Sequence, residues 1–402
     1  MSKKKKKRHL RKSIKVSLLA CACLITGTFL FRSCTGSNQK EEVEQVTAQS
    51  SSSPSSSPES NTHSFRLFLL GDALTQEQLL AQAQQADGSW DFSMFDDITD
   101  QAKEYDLAFY NQESILGGDH LGISYFPTFN GPQAFGDYMV SKGFNLVSKA
   151  NNHCLDRGEQ AIHNSDAYWS SKAGVISAGT NESQAEQDAV DVHECNGITY
   201  AFNAWTYGMN GNVCPDGEEY LVNCYRDDPQ KMLDWVKEAD QKADVVIVSM
   251  HWGTEYISQP DEEQLSLAQQ LADAGADIII GNHPHNIQPV THIGDHAVVF
   301  YALGNGISSQ DTTMGGTPES VLTGLIGSVT VTKTETDGTA QTSISDVRAD
   351  VIYTAHDDHW GNIHGRMFKD LTDEELPDHD IYYQDDIRII HAMDDSIDIG
   401  LE

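Results

Sequence analysis

Residues 265–285 read LSLAQQLADAGADIIIGNHPH and contain a complete helix, strand and candidate site. The apolar residues of the first half recur at the spacing of one helix face: Leu265, Ala268, Leu271 and Ala272. Gly275 stands where a helix commonly ends, because glycine adopts a left-handed backbone there without strain. The apolar run 278–280 predicts a buried strand, and His283 and His285 follow it directly. This stretch therefore predicts a helix–strand unit whose strand leads into two imidazoles.

Two other segments have the same order of helix, tight stop and buried strand. They begin at Lys142 (KGFNLV) and Lys242 (KADVVI), and they lead into Asn152, His153 and His251. This repetition predicts the α/β class. In open α/β sheets the loops at the carboxyl ends of the strands form the binding crevice. We therefore expect these residues, although distant in sequence, to meet along one edge.

Earlier strands extend the same pattern. Residues 65–70 form an apolar run that ends before Asp72, and residues 107–110 form another that leads into Glu113. Together the strand ends supply carboxylate, amide and imidazole donors, which suit divalent cations such as Mn²⁺, Fe²⁺ or Zn²⁺. Two such ions about 3.5–4 Å apart would need a bridging carboxylate and several imidazoles. We predict a site for one or two divalent metal ions with these ligands: Asp72, Glu113, Asn152, His251, His283 and His285.

Each candidate ligand also has an ordinary structural explanation when it is taken alone. Asp72 follows a glycine, as in many turns, and an isolated glutamate such as Glu113 is commonly a surface carboxylate. A single histidine at a strand end, such as His251, is commonly hydrogen-bonded structure. The pair His283 and His285 is harder to explain in this way, because alternate residues of an extended chain point to the same side. The recurrence of ligand types at the same topological place favours a metal site.

Six segments, taken in order, closely resemble the CapA family of poly-γ-glutamate capsule synthesis proteins. The resemblance spans roughly Phe65 to Gln310, and its most specific segments are NNHCLDRG at 151–158 and HWGTEY at 251–256. The other segments are GD at 71–72, NQE at 111–113, GNHPH at 281–285 and YALGN at 301–305. Because the family is related to calcineurin-like metallophosphoesterases, the resemblance implies a four-layer α-β-β-α sandwich with the site at the strand ends.

The resemblance also implies individual roles. Glu113 would bridge two metal ions. The first ion would also take Asp72 and His285, and the second would also take Asn152, His251 and His283. His153 matches the superfamily histidine that protonates a leaving group, and Asp156 would orient it. Three residues would contact the ligands and orient them without binding the metal themselves: Trp252, Glu255 and Asn282.

The sequence departs from metallophosphoesterases at Leu74, where those enzymes usually carry a histidine two residues after the first aspartate. The first metal position is therefore short of a ligand, whereas the second is well supplied. The CapA family shares this departure, which weakens the case for ordinary phosphoesterase chemistry. Gln112, Asn282 and Gly306 are smaller differences from the family pattern.

Charge separates the N-terminus from the rest of the chain. Acidic residues outnumber basic ones by 60 to 26, yet the first 32 residues hold ten of the positive charges and no acid. The remainder carries 16 positive and 60 negative side chains, a net charge of −44. Such a body should repel nucleic acid and anionic lipid. An anionic substrate would have to be met at a local cationic spot, such as a bound metal ion.

The N-terminus predicts export. Residues 1–34 combine a basic stretch with the uncharged run 16–31, and the excess of Lys and Arg places that end in the cytoplasm. An uncleaved signal anchor, a cleaved signal peptide and a lipoprotein processed at Cys21 all remain open. We favour the anchor, because the apolar run continues well past Cys21. Residues 35–64, rich in serine, predict a flexible linker, and residues 65–355 the folded domain.

The acidic segment 356–402 is predicted to be an extension of the domain rather than a second domain. Its cluster His356-Asp357-Asp358-His359 is a weak candidate for metal binding. Of the cysteines beyond the anchor, Cys214 and Cys224 are the favoured pair, although the spacing does not choose among three pairings.

These features favour a membrane-anchored protein with its domain outside the cell, acting in synthesis, export or attachment of poly-γ-glutamate or a similar anionic polymer. Its partners would be the polymer or its terminus, the ligase and export proteins of capsule assembly, and the membrane through the N-terminal helix. Nucleic acid is not expected. The alternatives are a surface metallophosphoesterase unrelated to capsule and a polymer-binding subunit without catalysis. A metal-dependent hydrolase is one form that the activity would take.

Overall fold

Two β-sheets packed face to face organise the protein in the computed structural model, which describes residues 60–401 except 311, 313–316 and 337. All described residues belong to one compact unit. The strands in these residues are β1 (Ser60–Ala73), β2 (Leu107–Gln112), β3 (Leu146–Ser148), β4 (Ile176–Ala178), β5 (His193–Cys195), β6 (Ile198–Thr206), β7 (Val245–His251), β8 (Ile278–Asn282), β9 (Val290–Ile293), β10 (Ala297–Phe300), β11 (Asn305–Ile307), β12 (Thr323–Thr336), β13 (Thr339–Ala355), β14 (His364–Met367) and β15 (Asp398–Ile399).

The helices connect and cover these strands. In the described residues the α-helices are α1 (Glu77–Ala83), α2 (Asp96–Thr99), α3 (Gln133–Ser141), α4 (Glu159–Ser170), α5 (Gln184–Asp188), α6 (Pro229–Asp240), α7 (Glu262–Ala274) and α8 (His379–Ile390). Short 3₁₀ turns lie at Ser93–Phe95, Asp100–Glu104, Asp119–Leu121, Glu219–Leu221, Glu319–Leu322 and Phe368–Asp370.

The first sheet has the strand order β14-β13-β12-β1-β2-β3-β4, with β11 beside β1 and β15 beside β13. Strands β1 to β4 are parallel, and β12 to β14 add an antiparallel half. The second sheet has the order β5-β6-β7-β8-β10-β9, with a parallel centre and antiparallel edges. The parallel centres bring the carboxyl ends of β1, β2, β7 and β8 towards one rim.

Alternating burial along the strands builds the layers. In β1, Leu67 and Leu69 join the core between the sheets, whereas Phe68 and Leu70 pack against the outer helices. The same period of two appears in β7 and β8, whose outward residues contact α6 and α7. With α1 to α4 on the other side, the fold is the predicted four-layer α-β-β-α sandwich. The α/β class and the sandwich are confirmed.

Local sequence signals determine where α7, the helix that precedes β8, begins and ends. The side chain of Asp261 accepts a hydrogen bond from the backbone N–H of Gln264, whose side chain bonds back to the Asp261 backbone, so α7 begins with a capping box. The helix ends at Gly275, whose φ of 110° lies in the left-handed region, as the sequence predicted. The chain can then turn directly into β8 and deliver His283 and His285 to the rim.

Two predicted boundaries differ from the structure. Strand β1 begins at Ser60, inside the segment assigned to the linker (35–64), because residues 60–64 pair with the far end of β12. The segment 356–402, predicted as an extension rather than a second domain, is packed into the domain, since β14 and β15 join the first sheet and Phe368, Leu371 and Ile390 lie in the core between the sheets. Its apolar residues around 381–390 form α8.

Two further expectations concern the N-terminal anchor and the pairing of the cysteines. The predicted anchor (1–34) lies outside the described residues, and within residues 60–401 no helix has the length and apolar character to cross a bilayer. Cys214 and Cys224 are free thiols and lie in one apolar cluster with Cys154, so the favoured pairing is not formed in this structure.

A close approach of two backbones at Gly281 generates the first prediction. A Cβ atom at this position would lie 1.9 Å from the Tyr301 carbonyl oxygen, so the neighbouring strand would have to move. Gly281→Ala should lower the free energy of unfolding by about 3 kcal/mol, the upper part of the range for overpacking. Denaturant unfolding of the purified protein measures it.

Gly208→Ala is the matched control, because a Cβ atom there would meet nothing within 4 Å. Its free energy of unfolding should change by less than about 1 kcal/mol. Equal effects of the two substitutions would contradict the close approach seen at Gly281.

Candidate metal centre

The rim brings together side chains from both sheets. Asp72 pairs in register with Asn111 of β2, and Glu113 follows that strand by one residue. From the second sheet, His251 ends β7 opposite Asn282 of β8. All the predicted ligands are buried: Asp72, Glu113, Asn152, His251, His283 and His285. The predicted convergence of strand ends is therefore found.

Asp72, Glu113 and His285 form a compact group of metal-ligand residues. One donor atom from each lies within 4.8 Å of the other two. His285 Nδ1 is 3.4 Å from Asp72 Oδ2, and His285 Nε2 is 3.8 Å from Glu113 Oε1. We refer to these three residues as the triad. It corresponds to the position that the missing histidine at Leu74 leaves short of a ligand.

Glu113 is the unusual member of the triad. Its side chain is fully buried, and neither carboxylate oxygen has a hydrogen-bond partner. Burial and the nearby Asp72 carboxylate hold the pKa of Glu113 well above its usual range. A buried carboxylate without hydrogen bonds is costly, so it requires either a proton or a cation. A divalent ion between the triad side chains would satisfy both free oxygens, and the donor set therefore fits a metal.

His285 responds to the same two carboxylates. Burial alone would lower its pKa, but the charges of Glu113 and Asp72 outweigh this effect and raise the pKa to about 9. Asn305 lies at the same ring nitrogen as Asp72, with its Oδ1 3.0 Å from His285 Nδ1. The two carboxylates thus favour the protonated form of the His285 ring.

The second predicted ligand set lies directly beside the triad. His251 Nε2 is 2.9 Å from Asn152 Oδ1 and 3.8 Å from Glu113 Oε1. The rings of His251 and His283 are 4.8 Å apart, and His283 Nδ1 is buried without a hydrogen-bond partner. Burial and the neighbouring histidines lower the pKa of both rings well below the usual value. Both imidazoles are therefore neutral at neutral pH, the form that binds metals.

The loop that carries the two histidines is strained. His283 and His285 have φ values of 99° and 58°, in the left-handed region that non-glycine residues rarely adopt. Such a backbone costs of order 1–3 kcal/mol per residue and persists where the surroundings enforce it. Asp72 contributes to this, because its Oδ2 accepts a hydrogen bond of 3.1 Å from the His283 backbone N–H.

His153 and Asp156 form a hydrogen-bonded pair at the edge of the site. His153 Nδ1 lies 2.7 Å from Asp156 Oδ2, and the same oxygen accepts a hydrogen bond from the Phe129 backbone N–H at 2.7 Å. Asp156 therefore fixes both the imidazole and the adjoining loop. His153 lines a cleft of about 400 Å³ that His285 borders as well. This arrangement can supply a proton from His153 to a ligand in the cleft.

The expected supporting residues are placed differently. The indole N–H of Trp252 donates to the Tyr301 carbonyl, and the Asn282 amide donates to the Ser249 hydroxyl. Glu255 is exposed and lines the cleft rather than standing behind a ligand. Leu74 is buried against the same cleft, so no side-chain donor takes the place of the missing histidine there.

Asn111 is a site residue that the sequence reasoning did not assign. Its Nδ2 donates to Asp72 Oδ1 at 2.8 Å and lies 3.4 Å from His251 Nδ1, so it links the triad to the second set. Its place in the NQE segment, two residues before Glu113, was the available signal. Tyr207 was also missed, and its ring lies 4.7 Å from the His283 ring.

The weak metal candidate near the C-terminus does not assemble. Asp357 accepts hydrogen bonds from the backbone N–H groups of His359 and Gly361, so it closes a turn. The His356 ring stacks on Trp360, with 3.9 Å between ring centroids. These side chains are used for local structure.

The match to a family of known proteins agrees with this geometry. Residues 66–310 match the family described as "Bacterial capsule synthesis protein PGA_cap". The chain belongs to this family. The PGA_cap family is in the metallophosphoesterase-like superfamily, so the resemblance inferred from the motifs is confirmed.

Named relatives share part of the chain. The PGA biosynthesis protein CapA of Bacillus subtilis (strain 168) is 32% identical over 176 residues, which cover 44% of this chain and 45% of that protein. The capsule biosynthesis protein CapA of Bacillus anthracis is 31% identical over 174 residues, covering 42% of each. The matches thus span less than half the length of these relatives. Among solved structures, the sulfate thiohydrolase SoxB of Thermus thermophilus aligns with a TM-score of 0.40 and 11% identity, covering 80% of this chain and 61% of that one.

The unpartnered carboxylate of Glu113 generates the second prediction. Mn²⁺ at about 100 times its dissociation constant should stabilise the wild-type protein by about 2.7 kcal/mol. Glu113→Gln should lose most of this gain, because the amide removes the negative charge from the triad. With a chelator present, the variant should be at least as stable as the wild type, since it no longer buries an ionisable group without partners. Thermal unfolding with Mn²⁺ and with chelator measures both effects.

Glu262→Gln is the control, because Glu262 is exposed in the first turn of α7 and is not one of the predicted ligands. It should retain the full stabilisation by Mn²⁺. A Glu113→Gln protein that is stabilised as much as the wild type would exclude Glu113 as a metal ligand.

Proposed function

We propose that this protein acts outside the cell in the synthesis, export or attachment of poly-γ-glutamate or a similar anionic capsule polymer, through a divalent-metal site at the triad. Membership of the PGA_cap family supports the polymer, and the names of the two CapA relatives agree with it. The observation that carries the metal site is the fully buried Glu113 carboxylate, whose two oxygens have no hydrogen-bond partner.

Charge explains why such a site is needed. The chain beyond residue 32 carries a net charge of −44, so an anionic polymer is repelled from most of the surface. A divalent ion concentrates positive charge at one point and can bind a carboxylate or phosphate of the polymer there. In this proposal, residues 1–34 anchor the protein in the membrane and residues 35–59 hold the folded part away from it. Ligase and export proteins of the capsule are the expected partners.

Each part of the site has a distinct task. Asp72, Glu113 and His285 would hold one ion, and Asn152, His251 and His283 would hold a second ion with Glu113 as the shared ligand. Mn²⁺, Fe²⁺ and Zn²⁺ all suit these donors. When bound, a divalent ion polarises a carbonyl or phosphoryl oxygen. Asp156 keeps the His153 ring turned so that its Nε2 can hold or release a proton, and Asn210, 3.5 Å from that nitrogen, lies on the same side.

Loss of a triad ligand is the third prediction. His285→Ala should weaken Mn²⁺ binding by at least roughly 100-fold, since even residues behind the ligands change affinity by 10–100-fold. Surface polymer should fall together with the bound metal. Metal analysis of the purified protein and polymer extracted from cells carrying the variant give the two measurements.

His359→Ala is the matched histidine control, because His359 is exposed and outside the site. It should retain both the metal and the polymer. Normal polymer output from cells in which the His285→Ala protein has lost its metal would separate the metal from the polymer function and support a polymer-binding subunit instead.

Metal-dependent phosphoesterase activity is a second candidate, favoured by the His153–Asp156 pair beside the cleft. It gives the fourth prediction. The purified protein with Mn²⁺ should hydrolyse an aryl phosphate ester, and His153→Ala should reduce kcat by about 10²- to 10⁴-fold, the usual contribution of a general acid. The exposed His120 supplies the control His120→Ala, which should leave the rate unchanged. The absence of turnover with Mn²⁺, Fe²⁺ and Zn²⁺ would reject this candidate.

A further inference from the structure

The residues that line the cleft beside the triad differ from those expected in a groove that binds a polyanion. It has a volume of about 400 Å³ and opens between His153 and His285. Its described lining residues include no lysine and no arginine, whereas Glu77 and Glu255 contribute two exposed carboxylates. A bound metal ion would be the source of positive charge, and the rest of the cleft presents negative charge and aromatic rings.

Glu255 is the central residue of this arrangement. Its side chain is exposed, and it forms no hydrogen bond or ion pair with another described residue. It follows Gly253 and Thr254 in the loop after β7, and the next residue, Tyr256, is tied to the histidine loop by a 2.7 Å hydrogen bond from its backbone N–H to the Pro284 carbonyl. The loop therefore fixes the backbone next to Glu255, whereas its carboxylate has no hydrogen-bond or ion-pair partner among the described residues.

Glu255 shares the cleft with the triad. Glu255 and His285 both line it, and the residue after Glu255 is hydrogen-bonded to the loop that carries His285. The negative charge of Glu255 therefore lies in the same cleft as a residue of the triad.

Aromatic residues line the same cleft as Glu255. The cleft is lined by Tyr125, Phe126, Phe129 and Tyr256, and Phe126 is 66% exposed although it is a large apolar side chain. Phe129 packs edge-on against His153 at 4.7 Å, and the Tyr256 ring lies 6.2 Å from the His285 ring. Aromatic faces combined with a carboxylate, in a cleft whose described lining includes no lysine and no arginine, are the chemistry that binds an ammonium group.

We propose that this cleft binds a free primary ammonium group, with Glu255 as the anionic partner and the aromatic residues as the walls, and so selects the amino-terminal end of a polyamide chain. The inference rests on the proposed polymer function and adds the part of the polymer that is recognised. In a γ-linked glutamate chain, the first residue carries an ammonium group and a carboxylate on the same carbon, whereas interior residues carry the carboxylate alone. The carboxylate faces the metal site, and the ammonium group faces Glu255.

Two probes that differ in one charge test this inference. One is a pentamer of γ-linked glutamate with a free amino terminus, and the other is the same pentamer acetylated on that nitrogen. Binding of each to the full-length, Mn²⁺-loaded protein is measured by calorimetry at neutral pH. The wild type should prefer the free amine by about tenfold or more, the factor that corresponds to one hydrogen bond between charged groups.

Glu255→Gln should lose most of this preference and should still retain Mn²⁺, because Glu255 is not a ligand in the proposed site. Glu77→Gln is the control, because Glu77 lines the same cleft and its substitution removes the same charge. The control should keep most of the preference. Equal binding of the two pentamers to the wild type would overturn the inference, and so would an equal loss of preference in both variants.

The same experiment distinguishes a failure of this inference from a failure of the proposed polymer function on which it rests. If both pentamers bind equally and only with Mn²⁺, the polymer function stands and recognition of the ammonium group is wrong. If neither pentamer binds while Mn²⁺ is retained, the polymer assignment fails and the inference fails with it.

Discussion

The burial of the Glu113 carboxylate is the constraint around which the rim of this protein is organised. Its oxygens are removed from water and have no hydrogen-bond partner, in a structure where most buried polar groups are paired. Asp72 increases the cost by placing a second carboxylate nearby, and His285 offsets part of it. Burial of this carboxylate lowers the stability of the fold, and it leaves two oxygens available to a cation.

This constraint also connects the two sheets. Asp72 and Glu113 come from the first sheet, and His251, His283 and His285 come from the second. A cation held between them would therefore link the two layers at the rim, where the core between the sheets ends. The strained backbone at His283 and His285 agrees with this arrangement, because contacts between the two layers offset the free-energy cost of the left-handed conformation.

The distribution of charge narrows the chemistry of the ligand. In the proposed function, the acidic body and the cleft carboxylates would repel a polyanion along most of its length, so binding would depend on the few atoms that reach the triad. Recognition of a chain end satisfies this condition better than recognition of a repeating interior segment. The His153–Asp156 pair stands at the same cleft and allows proton transfer to whatever group is bound there.

The sequence by itself determined the α/β class, the order of helix and strand, and the residues that stand at the strand ends. Gly275 ends α7 as its position predicts, and Asp72, Glu113, His251, His283 and His285 meet at one rim, because parallel strands share the direction of their carboxyl ends. How closely the donors of the two metal positions approach one another required the tertiary structure. The sequence favoured the set of Glu113, Asn152, His251 and His283, and in the folded protein His251 Nε2 lies 2.9 Å from Asn152 Oδ1. The first set, Asp72, Glu113 and His285, assembles as well, with one donor atom from each residue within 4.8 Å of the other two.

Tertiary contacts also decided the features with no local pattern. Residues 60–64 look like linker, but they pair with a strand more than 260 residues later. The acidic C-terminal segment contributes Phe368, Leu371 and Ile390 to the core. The position of the Glu255 carboxylate in the cleft depends on the path of its loop relative to the aromatic residues. Local sequence determines which conformations each segment prefers, whereas burial and pairing depend on partners that are distant along the chain.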